Sequence, residues 1–260
     1  MGLTLNRAAL EMLQIPIPGL AEQQRIAATL NQVEALRTRR HEALAHLDEL
    51  IQSIFLDIFG DPVQNPHGWT RRRLGELIDN IDSGRSPVCL NRSARDGEWG
   101  VLKLGAVTSC RYDPGQNKAL PEVAESMKRH EVKNGDLLFS RKNTLDLVAT
   151  WAIVRTTPPR MLPPDLIFRM RLRPSSGAEA VYVHQLMIQP TKRRLVQLLA
   201  AGSAGPMPNI SKAKLAKVPV ELPPLRLQRE FVRQVEAIER LKERQRAQLR
   251  VPEGRLAGTV

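Results

Sequence analysis

The sequence is poor in cysteine, in aromatic residues and in long apolar runs. Among its 260 residues only Cys89 and Cys110 carry thiols, and neither lies in a C-x-x-C spacing, so no disulfide framework or zinc site is predicted. No apolar run approaches the roughly 18 residues that a membrane span needs, and the first residues lack a basic region followed by a long apolar run. These absences predict a cytoplasmic protein with no membrane partner.

Positive charge is in excess. Lysine and arginine number 39 against 27 acidic residues, which gives a formal net charge of +12 at neutral pH. A charge of this sign and size favours a polyanionic partner, and nucleic acid is the leading candidate. The hydrophobic content of 42% is sufficient for a packed core.

Motifs of catalysis are missing from the sequence as well. It contains no phosphate-binding glycine loop, no dinucleotide-binding glycine motif and no histidine cluster with metal-ligand spacing. We therefore predict no catalytic residue, no bound metal and no cofactor.

Two alternatives to a non-catalytic protein that binds nucleic acid stay open. One is a metal-dependent nuclease in which Asp113 and Glu131 bind Mg²⁺ and Lys133 assists the attacking water. The other is a basic coiled-coil scaffold.

One pattern occurs twice in the chain. Two segments, residues 15–36, "IPIPGLAEQQRIAATLNQVEAL", and residues 218–241, "VPVELPPLRLQREFVRQVEAIERL", both open with apolar-Pro-apolar. Each then has a further proline followed by a leucine, a glutamine three residues after that leucine, and apolar residues at helical spacing. Helix formation does not require that both helices be preceded by the same proline, leucine and glutamine pattern. We therefore interpret the two segments as an internal repeat. By the same comparison, residues 1–20 are predicted to be the remnant tail of a preceding domain whose complete copy lies at 70–222.

Two long helices are predicted from the repeat. Residues 21–59 contain no proline or glycine and carry apolar residues at alternating steps of three and four, which is typical of a coiled coil. A turn-rich linker follows at 60–69, and the second helix is expected at 223–250 with a tail at 251–260. The residues predicted to pair the helices are Ile26, Leu30, Val33, Leu47, Ile51, Ile54, Phe231, Ile238 and Leu241. Because the second helix is shorter, we expect apolar surface from Leu47 to Ile58 to stay free for a second chain or another partner.

Between the helices the pattern changes to short strands and turns. The segments 99–107, 135–141, 148–155 and 165–173 are brief apolar or alternating runs bounded by glycine, proline and asparagine, as strands are. We predict an α+β fold, with one mixed domain at 70–222 flanked by two long coiled-coil-like spacer helices.

Basic and small polar residues cluster in two loops of this domain. The segments "SGRSP" at 83–87 and "SRKNT" at 140–144 place arginine, lysine and asparagine at predicted strand ends, where such side chains hold phosphates or contact bases. The predicted DNA-binding residues are Ser83, Arg85, Ser86, Ser140, Arg141, Lys142 and Asn143, with Arg71, Arg72 and Arg73 as phosphate contacts. For any one of these residues, the alternative is that it lies in an ordinary solvated turn and has no role in DNA binding. Gly202 and Gly205 are expected to serve loop geometry, and Asn209 to cap the helix that follows.

The whole chain resembles the specificity subunits of Type I restriction-modification systems. The segments that carry the resemblance are the spacer helix "IPGLAEQQRIAATLNQVEALRTRRHEALAHLDELIQSIFLDIFGDP", the domain start "GWTRRRLGELI", and the later "GDLLFSRKN" and "GSAGPMPNISKAKLAKVPVELPPLRLQREF". Each is weak alone, but their order around one domain is specific. The chain has one complete target recognition domain and resembles a half-size subunit or the C-terminal part of a longer one.

The resemblance implies a non-catalytic function. Specificity subunits direct methylation and restriction to a bipartite site on double-stranded DNA, through a methylation subunit that docks on the spacer helices and, through it, a restriction subunit. In the family the helices pair antiparallel and set the distance between two recognition domains. A single domain between two helices predicts that two chains can form a homodimer that binds an inverted repeat.

Overall fold

The structure is a computed structural model that describes residues 16–200 and 207–249, without the side chains of the last two. Most of the predicted remnant at 1–20, the tail at 251–260, Gly202 and Gly205 lie outside the described residues. The chain divides into two compact units, one formed by the segments up to Asp48 and from Leu241, the other by Glu49–Arg240. In the described part of the chain, no helix combines the length and the apolarity needed to cross a membrane.

The first helix, α1, spans forty residues, Leu20–Phe59. At its start the carbonyl oxygen of Gly19 accepts hydrogen bonds from the amides of Glu22 and Gln23. At its end Gly60 has φ +74°, a left-handed conformation that favours glycine after a helix, and a Cβ there would overlap Pro66. The turn chemistry at both ends therefore explains why the helix begins and stops where it does.

In the first unit, α1 is met by the end of the last helix, α7 (Leu225–Leu249). Lys242 is fully buried, and its Nζ lies 2.6 Å from Oδ1 of Asp48. The apolar stripe nearer the start of α1 is exposed, at 43% for Ile26, 62% for Leu30 and 42% for Val33. The free apolar surface thus lies in this part of α1.

For the predicted seam residues, the expectation of free apolar surface from Leu47 to Ile58 is wrong, although Leu50 and Leu56 beside the seam are each 45% exposed. Ile51 is 2% exposed, and Leu47, Ile54 and Ile58 are half-buried. The reason is that the second unit begins at Glu49, and its core takes up the apolar face of the helix from there onwards.

The second unit holds three antiparallel or mixed sheets and short helices. The elements are β1 (Thr70–Arg73), α2 (Leu74–Leu77), β2 (Ile78–Ser83), β3 (Trp99–Leu102), β4 (Asn117–Leu120), α3 (Glu125–Lys128), β5 (Leu137–Ser140), β6 (Trp151–Ile153), β7 (Met161–Leu162), β8 (Ile167–Leu172), α4 (Ala180–Ile188), α5 (Pro190–Leu198), α6 (Lys212–Ala216) and β9 (Pro219–Leu222). Strand β8 lies inside a four-stranded sheet of order β2-β8-β5-β6, β3 is the centre of β4-β3-β7, and β1 pairs with β9. The predicted α+β class with long flanking helices is confirmed.

Aromatic rings join both long helices to the core of the second unit. Phe55 and Phe59 of α1, Tyr182 of α4 and Phe231 of α7 have ring centroids 5.0 to 5.9 Å apart. Tilted and edge-on aromatic pairs at such distances stabilise a core beyond the area they bury. This cluster fixes the point at which the helices meet the mixed domain.

A buried ion pair connects α5 with the β1–β9 sheet. Lys192 and Glu221 are 1% and 2% exposed, and Lys192 Nζ lies 2.6 Å from Glu221 Oε2. The other carboxylate oxygen of Glu221 accepts a hydrogen bond from Arg71 Nε at 3.1 Å. Burial lowers the pKa of Lys192, while the nearby Glu221 carboxylate opposes that effect. Removal of Glu221 would leave the buried Lys192 without its ion-pair partner, whereas removal of Lys192 would leave Glu221 paired with Arg71 alone.

Candidate nucleic-acid interface

The two predicted loops meet at one edge of the four-stranded sheet. Strand β2 ends at Ser83 and β5 ends at Ser140, while β8 begins at Ile167 between them. Because β8 is antiparallel to both neighbours, its start lies beside their ends, with Ser83 opposite Phe168 and Ser140 opposite Ile167. Segments 83–87 and 140–144, which are distant in sequence, therefore emerge side by side.

Arg141 lies at the centre of this edge. Its backbone amide donates to the carbonyl oxygen of Leu166 at 3.0 Å, and its own carbonyl oxygen accepts from the amide of Ile210 at 2.8 Å. Its guanidinium lies 5.1 Å from the ring centroid of Phe168, and Nε donates to Asn209 Oδ1 at 3.2 Å. Backbone and side chain are thus both fixed by neighbouring segments.

The first loop is attached to the same place through Asp165. Ser86 Oγ donates to the Asp165 carboxylate, and Ser83 Oγ donates to the Asp165 carbonyl oxygen at 3.4 Å. Gly84 approaches the backbone so closely that a Cβ there would overlap the carbonyl oxygen of Pro163. Arg85, between these anchors, is exposed. Loop 83–87 is therefore held against the start of β8 with its arginine accessible.

Two members of the second loop are buried and do not face solvent. Ser140 is 0% exposed and Asn143 is 6% exposed. Asn143 Oδ1 accepts a hydrogen bond from the amide of Thr144, which is a local turn contact. Lys142 is half-buried and forms an isolated β-bridge with Asn209. In this conformation a partner can reach Arg85, Arg141 and Lys142. The buried side chains of Ser140 and Asn143 instead pack inside the loop.

The arginine run at β1 lies in a different sheet, the β1–β9 pair. Arg71 is ion-paired with Glu221, and Arg72 lies 3.2 Å from Glu76. Arg73 is exposed. The fold therefore uses two of these three predicted phosphate contacts in its own ion pairs.

The predicted cap by Asn209 is wrong. Ser211 is the N-cap of α6, and its side chain accepts a hydrogen bond from the amide of Lys214. Asn209 instead accepts from Arg141, and Lys212 Nζ lies 5.8 Å from the ring centroid of Phe168. Sequence reasoning missed Asp165, Phe168 and Lys212, because nothing in their local pattern shows that β8 lies between β2 and β5.

The residues of the nuclease alternative have structural contacts. Asp113 accepts from the amide of Gly115 within a turn, and Glu131 Oε1 accepts from the amide of Arg160. Lys133 Nζ lies 3.9 Å from Glu131 Oε2. Within residues 16–200 and 207–249, no group of three or more potential metal ligands occurs. This geometry gives the nuclease alternative no support.

By its fold and site, the chain is an α+β domain flanked by two long helices, with arginine and lysine gathered at one sheet edge. No protein-family model matches the chain. The specificity subunit of the Type I restriction enzyme EcoEI from Escherichia coli is 32% identical over 176 residues, which are 67% of this chain and 30% of that subunit. The EcoKI specificity subunit of Escherichia coli strain K12 is 25% identical over 245 residues, covering 90% of this chain and 52% of that protein.

Solved structures share the fold. A chain from a study of complex assembly and conformational transition in a type I R-M system matches with a TM-score of 0.53 at 24% identity, covering 90% of this chain and 56% of that one. The S subunit of a Type I restriction-modification system from M. genitalium matches with a TM-score of 0.54 at 17% identity, covering 96% of this chain and 63% of that one. The curated relatives that the chain matches are Type I restriction enzyme specificity subunits, and the chain spans about half, or less, of the length of these two proteins.

Proposed function

We propose that this chain recognises a specific sequence in double-stranded DNA and directs the methylation and restriction subunits of a Type I complex to it, without catalysing a reaction itself. The observation that carries the proposal is the convergence of Arg85, Arg141 and Lys142 at one sheet edge, in a chain of net charge +12. Arginine can form bidentate hydrogen bonds with guanine, and lysine binds phosphate. The cytoplasmic location that the sequence predicts is part of this proposal, because it is compatible with a function on DNA.

The test is co-expression with the methylation subunit, followed by mapping of the adenines that become methylated. A reproducible motif supports the proposal. We expect Arg141→Ala to relax one base pair of that motif, and Arg194→Ala, which removes an exposed arginine of α5, to leave the motif intact. Random methylation, or none with a soluble complex, would contradict sequence recognition. Metal-dependent cleavage by the purified chain, lost in Asp113→Ala, would favour the nuclease.

We further propose that the exposed stripe of α1 binds a second copy of the chain. From Lys242, α7 continues for seven residues to Leu249, roughly 10 Å, whereas α1 extends roughly 40 Å from Asp48 back to Leu20. Ile26, Leu30 and Val33 therefore lie beyond the reach of the described part of α7. Two chains paired along this stripe would hold two recognition domains in twofold relation and bind the two halves of an inverted repeat.

A further inference from the structure

The segment from Asn209 to Lys212 lies against the loop that carries Arg141. Asn209 forms the β-bridge with Lys142, and the amide of the fully buried Ile210 donates to the carbonyl oxygen of Arg141. The two segments are separated by 68 positions in sequence. Any movement of residues 209–212 would consequently displace the backbone from which the Arg141 side chain projects.

Asn209 also holds the side chain of Arg141. Its Oδ1 accepts from Arg141 Nε at 3.2 Å, and a longer contact of 3.4 Å joins Arg141 Nη1 to the carbonyl oxygen of Asp165. A guanidinium has five N–H groups. Within the described part of the chain, the other three make no hydrogen bond to protein. Bidentate recognition of guanine needs two such groups in a fixed plane, and the Phe168 ring at 5.1 Å supports that plane.

Lys212 brings a second cation to the same ring. Its side chain is exposed, and Nζ lies 5.8 Å from the Phe168 centroid, so both cations lie within about 6 Å of one ring. An anion at this edge would be attracted by both positive charges. The phosphate backbone supplies such an anion next to any base that Arg141 contacts.

We propose that Asn209 is a positioning residue that fixes the Arg141 guanidinium for base contact, and that Lys212 binds the adjacent DNA phosphate. Asn209, and Lys212 at the start of α6, are then part of the DNA-contacting face. This inference rests on the proposed function. It adds to that function the residues that orient Arg141 and neutralise the phosphate.

The positioning role is tested by a double-mutant cycle in the complete complex with the methylation subunit. Binding is measured on the methylated motif and on duplexes with single base-pair changes. Asn209→Ala should reduce discrimination at one base pair by on the order of ten-fold, at the same position as Arg141→Ala. Because Asn209 acts through Arg141, Asn209→Ala should add no further loss when Arg141 is already alanine. Asn80→Ala, which truncates an exposed asparagine of β2 outside segments 83–87, 140–144 and 209–212, should leave discrimination unchanged.

The role of Lys212 is tested by salt dependence. Lys212→Ala should weaken binding to all duplexes alike and reduce the slope of log K against log salt by about one, and Lys212→Arg should restore the slope.

The test of Asn209 has a second variant. If Asn209→Ala does not fold, Asn209→Ser replaces it, because the serine side chain is too short to reach Arg141.

The results separate this inference from the proposed function. Equal losses from Asn209→Ala in the wild-type and Arg141→Ala backgrounds, or an unchanged slope in Lys212→Ala, would overturn the inference while DNA recognition stands. A wild-type complex that does not discriminate among duplexes would overturn both.

Discussion

At the residue scale, His184 is a buried titratable side chain that serves the fold. Its Nε2 lies 3.0 Å from the carbonyl oxygen of Cys110 and 3.2 Å from that of Trp151, so this nitrogen carries the proton and donates. Cys110 has φ +57°, a conformation that non-glycine residues rarely adopt. The histidine thus ties a strained turn to strand β6. Burial lowers the pKa of His184 to about 4 and keeps the ring neutral at physiological pH.

This pKa predicts loss of stability in mild acid. In the unfolded chain a histidine titrates near 6.5, so between about pH 6.5 and 4 the unfolded state binds more protons than the folded state. The free energy of unfolding should therefore fall as pH decreases through this window, by up to about 3 kcal/mol. Urea titrations at pH 7.5 and pH 4.5 measure this change in the free energy of unfolding.

The matched variants are His184→Gln and His67→Gln. Glutamine at 184 keeps a donor but does not titrate, so the loss between the two pH values should shrink. His67 is exposed, and its replacement should leave the loss unchanged. An equal loss in wild type and His184→Gln would show that other groups cause the acid sensitivity.

At the element scale, the aromatic cluster decides where the two long helices join the mixed domain. Phe55 and Phe231 are 0% exposed, Phe59 is 2% exposed, and Tyr182 donates from its hydroxyl to the carbonyl oxygen of Glu221 at 2.8 Å. One helix enters the domain here and the other leaves it. A change in this cluster therefore affects both helices and β9 together.

Truncation of one ring should be costly. Phe231→Ala removes a fully buried ring that contacts Phe55 and Phe59, and we expect the free energy of unfolding to drop by about 3 to 5 kcal/mol. Leu56→Ala is the control, because Leu56 follows Phe55 on α1 but is 45% exposed; its cost should stay near or below about 1 kcal/mol. Denaturant titration compares the two. Similar costs for both variants would mean that the cluster does not anchor the helix.

At the scale of the whole molecule, the exposed stripe of α1 predicts self-association. Light scattering on the purified chain should give about twice the mass of one chain, which is 29.2 kDa. Ile26→Glu with Leu30→Glu places charges on the stripe and should halve the mass. Ala28→Glu with Gln32→Glu adds the same charge to the opposite side of the helix and should leave the mass unchanged.

A monomeric wild type would remove the homodimer. In that case the stripe is left for the methylation subunit, and the Ile26→Glu, Leu30→Glu variant should fail to co-purify with it while the control variant succeeds. Leu47→Glu with Ile51→Glu, at two of the predicted pairing residues, is unsuitable for this test. Ile51 is 2% exposed, so that variant would disturb the core and the interface together.

The sequence by itself determined the elements that depend on local spacing. A run without proline or glycine and with apolar residues every three to four positions favours a long helix, because only a helix places those residues on one face, and the structure has that helix at Leu20–Phe59. Short apolar runs between turn residues likewise predicted the α+β class. The order of the quoted segments was enough to indicate the family, because each segment can be compared without knowledge of its contacts.

Only the tertiary structure decided which side chains meet. Strand β8 lies between β2 and β5 because of sheet order, and this brings Asp165 and Phe168 to the two loops. The contact of Arg141 with Asn209 spans 68 positions and that of Arg71 with Glu221 spans 150, so no local pattern contains them. The burial of Ser140 and the location of the exposed apolar stripe on α1 likewise depend on contacts between segments that are distant in sequence. Burial and pairing depend on what packs against a residue, and in this chain those neighbours come from distant segments.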